Sequence, residues 1–119
     1  MSAEAVVADL FAAFERGDVD AMVRLFADDA VYHNVPMDPA VGVDAIRELL
    51  TQFTGLMEGV RIEVHRQLSD GAFVMQERTD SFSTGGTRVS FPICGVFEIE
   101  DGRIKRWSEY FDMTQAMGQ

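Results

Sequence analysis

The chain has 119 residues and a net charge of −10, and hydrophobic residues make up 47% of it. That length and composition predict one globular domain, residues 1–119, with a hydrophobic core that needs neither disulfide nor metal. The acidic balance argues against nucleic acid or an anionic membrane surface as a partner, because both attract basic surfaces.

The N-terminal segment predicts an amphipathic helix. Val6, Leu10 and Phe14 recur at helical spacing, with Ser2 as the N-cap and Gly17 as the stop. No basic region precedes the apolar run, so a secretory signal peptide is not expected. No apolar run approaches the roughly 20 residues that a membrane-spanning helix needs. A cytoplasmic protein is therefore the simplest expectation.

The next three elements can be placed from caps and periodicity. Asp18 begins a short helical segment over residues 18–26. Residues 29–35 alternate like a strand, which Pro36 ends. Residues 43–57 carry the clearest helical pattern in the chain, with a continuous apolar face.

From Gly59 onward the apolar period changes to two, which is typical of strands. Turn sequences S-D-G, S-T-G-G and E-D-G separate four long strand candidates, and tight turns favour antiparallel pairing. The candidates cover residues 60–68, 72–82, 87–100 and 103–113. Helices followed by strands predict an α+β fold. We expect a cone, formed by a strongly curved mixed or antiparallel sheet wrapped around the N-terminal and central helices. The proline and glycine in F-P-I-C-G (91–95) predict a bulge that bends it.

The cysteine and the histidines do not indicate a metal or redox site. Cys94 is the only cysteine, so it cannot form an internal disulfide, and its apolar neighbours predict burial. His33 and His65 are the only histidines, and they lack the spacing of metal ligands.

Five polar side chains interrupt otherwise apolar strands. Tyr32 and Asn34 are two residues apart, as are Arg78 and Asp80, so each pair shares one face of its strand. Asp112 ends the segment W-S-E-Y-F-D, after three aromatic residues. Each also has a plain structural interpretation: a core tyrosine, an asparagine before a turn, an exposed ion pair and a helix cap. Periodicity alone leaves open which face lines a cavity.

Together, V-Y-H-N-V-P, E-R-T-D and W-S-E-Y-F-D-M resemble the limonene-1,2-epoxide hydrolase family, over nearly the whole chain. The resemblance implies that Asp112 is the base that activates water, with Tyr32 and Asn34 holding that water. It implies that Asp80 protonates the epoxide oxygen and that Arg78 bridges the two aspartates.

The resemblance further implies a one-step hydration with no covalent intermediate, metal or organic cofactor. The expected partners are water and a small apolar epoxide, cyclic or terpene-like, which would give a vicinal diol. A homodimer is expected through the outer face of the sheet, with Trp107 and Phe111 as candidate contacts. The candidate substrate contacts are all apolar: Leu50, Phe53, Met57, Val74, Ile93 and Phe97.

Three alternatives remain open at this point. A ketosteroid-isomerase-like enzyme would use Tyr32, Asp80 and Asp112 for proton transfer, although an arginine between the carboxyls opposes a neutral acid. A SnoaL-like polyketide cyclase would have the same architecture. A non-catalytic ligand-binding or dimerisation module would be expected to lack at least one of the five polar residues.

Overall fold

The computed structural model describes residues 1–118, which form four helices and six strands. In chain order these are α1 (Ala3–Glu15), α2 (Val19–Val23), β1 (Phe26–Asn34), β2 (Ala40–Val41), α3 (Val43–Leu56), β3 (Glu58–Ser69), β4 (Phe73–Thr84), β5 (Thr87–Glu100), β6 (Arg103–Phe111) and α4 (Met113–Ala116).

The helices begin where the capping residues predict. The Ser2 hydroxyl accepts a hydrogen bond from the Ala5 amide at the start of α1, and Asp18 accepts from Ala21 at the start of α2. One face of α1 is buried against the sheet. Helix α2 ends at Val23, so Phe26, which helical spacing had assigned to the second helix, instead begins β1.

The six strands form one mixed sheet in the order β2-β1-β6-β5-β4-β3. Strands β3 to β6 form the predicted antiparallel meander. Strand β1 runs parallel to β6, a long-range pairing that tight turns do not predict. The sheet stays open and wraps around α1 and α3, which confirms the α+β cone.

The expected bulge in F-P-I-C-G is absent. The register of β4 with β5 is continuous from Phe73–Glu98 to Thr84–Thr87, and residues 91–95 lie inside it. The register shifts of the described strands lie elsewhere: one in β1, two in β3 and one in β5 between Glu98 and Ile99. Pro92 is tolerated because the pairing of β5 with β6 ends at Ile93–Phe111. Strand β5 therefore has no β6 partner at position 92, where the missing N–H would leave a ladder bond unmade.

Two apolar clusters fill the cone. The larger joins α1, α3 and the inner face of the sheet around Trp107 and Phe97. The smaller lies near the β4–β5 turn and contains Phe82, Phe91 and Ile93. Cys94 is exposed on the outer face rather than buried, because strand alternation turns its neighbours inward. None of the helices in residues 1–118 is long and apolar enough to cross a membrane.

Candidate active site

A cavity of about 180 Å³ opens between the helices and the inner face of the sheet, where the two apolar clusters meet. Its walls are mainly aromatic and methionine side chains, contributed by α1, α3, β3 to β6 and the C-terminal helix. Six lining residues are polar: Tyr32, Asn34, Arg78, Asp80, Ser81 and Glu109. An apolar cavity with a few convergent polar groups is the usual form of a small-molecule site.

Arg78 is the centre of the polar group. Strand alternation turns Gln76, Arg78 and Asp80 to the inner face of the sheet, where Arg78 and Asp80 line the cavity, and the Arg78 side chain is fully buried. Its Nε and Nη2 donate to the two oxygens of Asp80 at 3.1 and 3.0 Å. Its Cζ lies 4.5 Å from the centre of the Phe11 ring, which covers one side of the guanidinium. The Arg78–Asp80 pair is therefore part of a pocket, not an exposed ion pair.

The second carboxylate is Glu109 on β6. Arg78 Nη2 donates to both Glu109 oxygens at 2.9 Å, and the Glu109 side chain is 2% exposed. The indole Nε1 of Trp107, two residues earlier on the same face, also donates to Glu109. Arg78 thus joins two carboxylates at the polar end of the cavity.

Burial and charge act in opposite directions on these groups. Removal from water raises the pKa of Glu109 to about 7, even though the adjacent Arg78 charge and its hydrogen bonds lower it. Burial alone would lower the pKa of Arg78, but the Glu109 and Asp80 carboxylates outweigh it and raise that pKa. Glu109 can therefore gain and lose a proton near neutral pH while Arg78 stays charged.

Tyr32 and Asn34 complete the polar end from β1. The Tyr32 ring stacks on Trp107, with centroids 4.0 Å apart, and its hydroxyl is 3.4 Å from Asn34 Oδ1. Burial, followed by the charge of Glu109, raises the pKa of Tyr32, so the phenol stays protonated. Asn34 is paired with Glu109 in the β1–β6 register. Within residues 1–118, Asn34 Nδ2 is a buried donor without a protein acceptor. A donor of this kind is suited to binding water or a ligand.

Asp112, the expected base, is not in this cavity. Its side chain is exposed and accepts from the Gln115 amide, which makes it the N-cap of α4. The expectation that Arg78 bridges Asp80 and Asp112 is therefore wrong: the second carboxylate is Glu109. Asp112 lies three residues beyond Glu109, where the strand has ended and the chain turns into a helix.

The alternation of residues along β6 could have identified Glu109 as a cavity residue. Trp107, Glu109 and Phe111 occupy one face of this strand, and all three line the cavity. A carboxylate flanked on its own face by two large aromatic residues is unusual for a solvated position. The Y-F-D motif drew attention to the adjacent aspartate instead.

Comparison with known proteins agrees with this geometry. The whole chain, residues 1–119, matches the limonene-1,2-epoxide hydrolase catalytic domain. The chain belongs to the limonene-1,2-epoxide hydrolase family. It is 41% identical to epoxide hydrolase EphG of Mycobacterium tuberculosis (strain ATCC 25618 / H37Rv) over 101 residues, 85% of this chain and 67% of EphG.

Two solved structures extend the comparison. An M. tuberculosis LEH-like epoxide hydrolase superposes with a TM-score of 0.83 at 37% identity, covering 95% of this chain and 84% of that chain. SalBIII, an epoxide hydrolase/cyclase-like enzyme in pyran ring formation in polyether salinomycin, superposes with a TM-score of 0.84 at 27% identity. That match covers 94% of this chain and 92% of SalBIII. The resemblance seen in the sequence to the limonene-1,2-epoxide hydrolase family is confirmed.

The six apolar residues expected to contact substrate divide into two groups. Phe53, Met57 and Ile93 line the cavity of this family member. Leu50, Val74 and Phe97 are fully buried in the core and do not line it. The difference follows from position along each element, because the cone is closed at one end and open at the other.

Proposed function

We propose that the protein hydrolyses small apolar epoxides, adding one water molecule to give a vicinal diol in a single step. The observation that carries this proposal is the pair of hydrogen-bonded links from Arg78 to Asp80 and to Glu109 at the polar end of an apolar cavity. Epoxide opening needs a base on the attacking water and an acid on the departing oxygen, held at one site. Two carboxyls around one arginine meet that need.

Glu109 is the base in this proposal, in place of the aspartate expected from the sequence. It lies beside Asn34 in the sheet register, and Tyr32 is the other polar neighbour on that side. A water molecule that accepts from Asn34 Nδ2 and donates to Glu109 would use the one buried donor that lacks a protein partner within residues 1–118. The Tyr32 hydroxyl, which donates to Asn34 Oδ1, would accept the second hydrogen bond of this water.

Asp80 is the acid. Glu109 takes a proton from water as the water oxygen bonds to one epoxide carbon, the carbon–oxygen bond breaks, and Asp80 gives its proton to the released oxygen. The diol leaves, and the proton on Glu109 returns to Asp80 through solvent. Arg78 stays charged throughout and fixes the separation of the two carboxyls.

The cavity limits the substrate in size and polarity. An apolar cavity of about 150 Å³ accommodates a benzene-sized ring. The cavity here is about 180 Å³ and is lined by Phe53, Phe91 and Phe111 among other apolar side chains. Monocyclic or short branched epoxides match this space, with the epoxide oxygen toward Asp80.

A cyclase is the second candidate, and the 27% identity to SalBIII favours testing it. If the substrate carried its own hydroxyl, Glu109 would take the proton from that hydroxyl instead of from water. The product would then be a cyclic ether. The same residues would serve both reactions, so the nucleophile alone distinguishes them.

We also propose a homodimer through the outer face of the sheet. The residues suggested for that face, Trp107 and Phe111, point inward and line the cavity instead. The exposed apolar side chains on the outer face are Leu68, Phe73, Met75 and Tyr110. Leu68 and Met75 are paired across β3 and β4, with Phe73 two residues along β4, and an exposed apolar patch is typical of a protein interface.

Hydrolysis in oxygen-18 water tests the proposed reaction. The protein is incubated with cyclic and terpene epoxides and with hydroxy-epoxides, and products are followed by mass spectrometry, with Glu109→Gln as the control. One labelled oxygen per diol in the first turnover is expected. A diol without label in the first turnover, its new oxygen coming from an enzyme carboxylate, would refute one-step attack. Unlabelled cyclic ethers would indicate the cyclase, and no reaction across the panel would favour a ligand-binding module.

A further inference from the structure

Arg78 and Glu109 are on strands that do not touch. Strand β5 lies between β4 and β6, and neighbouring strands are about 4.8 Å apart. In the register, Gln76 pairs with Gly95, and Gly95 pairs with Glu109. Arg78 itself pairs with Ile93. The guanidinium therefore runs back across β5 to reach Glu109, and it passes over Gly95.

Gly95 leaves the space that this path needs. A Cβ at position 95 would lie less than 3.0 Å from Arg78 Nη1, and 3.0 and 3.2 Å from the two Glu109 oxygens. The backbone of Gly95 does not have a positive φ, so its conformation does not require glycine. The other inward positions of β5 carry large side chains: Val89, Phe91, Ile93, Phe97 and Ile99. The guanidinium, not the backbone, accounts for a glycine here.

Gln76 holds the same guanidinium from the other side. Its Oε1 accepts from Arg78 Nη1 at 3.2 Å, and its Nε2 donates to Gln67 Oε1 at 2.7 Å. The second bond fixes the amide so that its oxygen faces Arg78. Gln76 is 3% exposed, so water does not readily replace it. Together with the bonds to Asp80 and Glu109, this contact uses the three nitrogens of the guanidinium.

We propose that Gly95 and Gln76 are positioning residues that hold the Arg78 guanidinium across β5, where it joins the acid to the base. Gly95 does so by leaving room, and Gln76 does so by fixing Nη1. The inference rests on the proposed hydrolase function, because positioning has meaning for catalysis only if Asp80 and Glu109 react. Neither residue lines the cavity, so neither is expected to contact the substrate.

Displacement of the Arg78 guanidinium should raise the pKa of Glu109. If Arg78 is displaced, Glu109 remains buried but loses its nearest positive charge, and its carboxylate becomes harder to form. The pH at which kcat/KM rises should then move upward. A purely structural role for Gly95 or Gln76 would lower the melting temperature without moving the pH profile.

The test compares Gly95→Ala and Gln76→Met with a matched control, Gly55→Ala. Gly55 is an exposed helical glycine with open space around its Cβ position and no positive φ. We expect kcat to fall about 100-fold for Gly95→Ala, as for a misplacement of about 1 Å, and about tenfold for Gln76→Met. KM should change little, and the acid limb of kcat/KM should move up by about one pH unit. Gly55→Ala should match the wild type.

A double variant separates positioning from general damage. In Arg78→Lys the shorter ammonium does not fill the space over Gly95, so adding Gly95→Ala should cost at most about twofold further. If Gly95→Ala lowered kcat by the same factor in the wild type and in Arg78→Lys, the inference would be overturned. So would an unshifted pH profile in both Gly95→Ala and Gln76→Met. If Gly95→Ala does not fold, Gln76→Met carries the test.

A carbon-13 titration of the Glu109 carboxyl by NMR needs no substrate, and so separates this inference from the proposed function. If the wild type opens no epoxide but the Glu109 pKa rises in both variants, positioning stands and the hydrolase proposal falls. If the wild type opens epoxides and the Glu109 pKa is unchanged in both variants, the hydrolase stands and the positioning inference falls.

Discussion

Arg78 donates to both oxygens of Glu109 at 2.9 Å although the two residues lie on strands separated by a third. The same guanidinium holds Asp80, its neighbour two positions along β4. Asp80 is thus held by a contact within one strand, and Glu109 by a contact across the sheet. The two carboxyls meet at Arg78 only when β4, β5 and β6 are assembled in register.

Glu109→Gln and Asp112→Asn distinguish the two candidate bases. We expect Glu109→Gln to lower kcat roughly 1,000-fold, because the base is lost while the size of the side chain is kept. Asp112→Asn should leave kcat within about twofold of the wild type, since asparagine caps helix α4 as well as aspartate does. Steady-state hydrolysis of a reactive cyclic epoxide measures both.

The reverse pattern would restore Asp112 as the base and remove Glu109 from the mechanism. Circular dichroism of each variant controls for folding. Asp112→Ala, which removes the cap, provides a further comparison: its effect should appear mainly in the stability of the α4 segment and in KM, because Met113 and Ala116 of that helix line the cavity.

The pH dependence of kcat/KM should follow Glu109. The base must be ionised to accept a proton from water, and burial raises the Glu109 pKa to about 7. Activity should therefore rise with pH as Glu109 loses its proton, on a limb roughly two units above that of a solvated carboxylate, and should fall again where Asp80 loses the proton that it donates. A profile that is already flat from pH 5.5 to 8 would contradict this role.

Much of the fold follows from local signals. Ser2 and Asp18 mark two helix starts, and period-two alternation predicts the ends of β3 to β6 to within two residues. The parallel pairing of β1 with β6 has no local signal, because it joins residues about 75 positions apart in the chain. Sequence patterns report the neighbours of a residue along the chain more reliably than its neighbours across a sheet.

Local signals also predict most of the candidate site, but not all of it. Tyr32, Asn34, Arg78 and Asp80 come together as expected, because each pair shares a strand face. The error at Asp112 arose where strand alternation ends and a helix begins, so that a motif three residues long spans two different geometries. The sequence predicts a bulge at Gly95. It does not reveal that a guanidinium occupies the space there, because Arg78 lies on another strand.

The stability of the protein should depend on Glu109 with a predictable sign. Its pKa is about 7 in the folded protein and near 4.5 in a solvated chain, so the folded state binds the proton more tightly. The resulting stabilisation is fully present below pH 4.5 and is lost as the pH rises through about 7. Its total size is roughly 3 kcal/mol.

Urea unfolding of the wild type and Glu109→Gln at pH 5 and pH 8 measures this contribution, because titrating groups that do not interact with Glu109 cancel in the difference. We expect the variant to gain roughly 3 kcal/mol relative to the wild type between pH 5 and pH 8. Glu77→Gln, on the exposed face of β4, controls for the loss of one acidic side chain. Parallel curves for the wild type and Glu109→Gln would refute the shift.

The proposed dimer should dissociate to the monomer when one residue of the outer face is substituted. Met75 is 49% exposed on the outer face of β4 and pairs with Leu68, which is 76% exposed. Met75→Glu should convert a species of twice 13.2 kDa to the monomer in light scattering. Val41→Glu, at a more exposed position (66%) on β2 at the opposite edge of the sheet, should have no effect. A monomeric wild type would end the proposal.

Asn34 should affect activity far more than stability. Its Nδ2 is buried without a protein acceptor within residues 1–118, and a donor in that position costs about 1–3 kcal/mol if nothing binds it. Asn34→Leu keeps the size of the side chain and removes that cost, but it also removes the acceptor of the Tyr32 hydroxyl, so we expect a melting temperature close to that of the wild type. The attacking water loses its donor, and kcat should fall about 100-fold with little change in KM. A variant that keeps its activity would exclude Asn34 from holding the water. One that loses stability and activity together would indicate that the side chain serves packing alone.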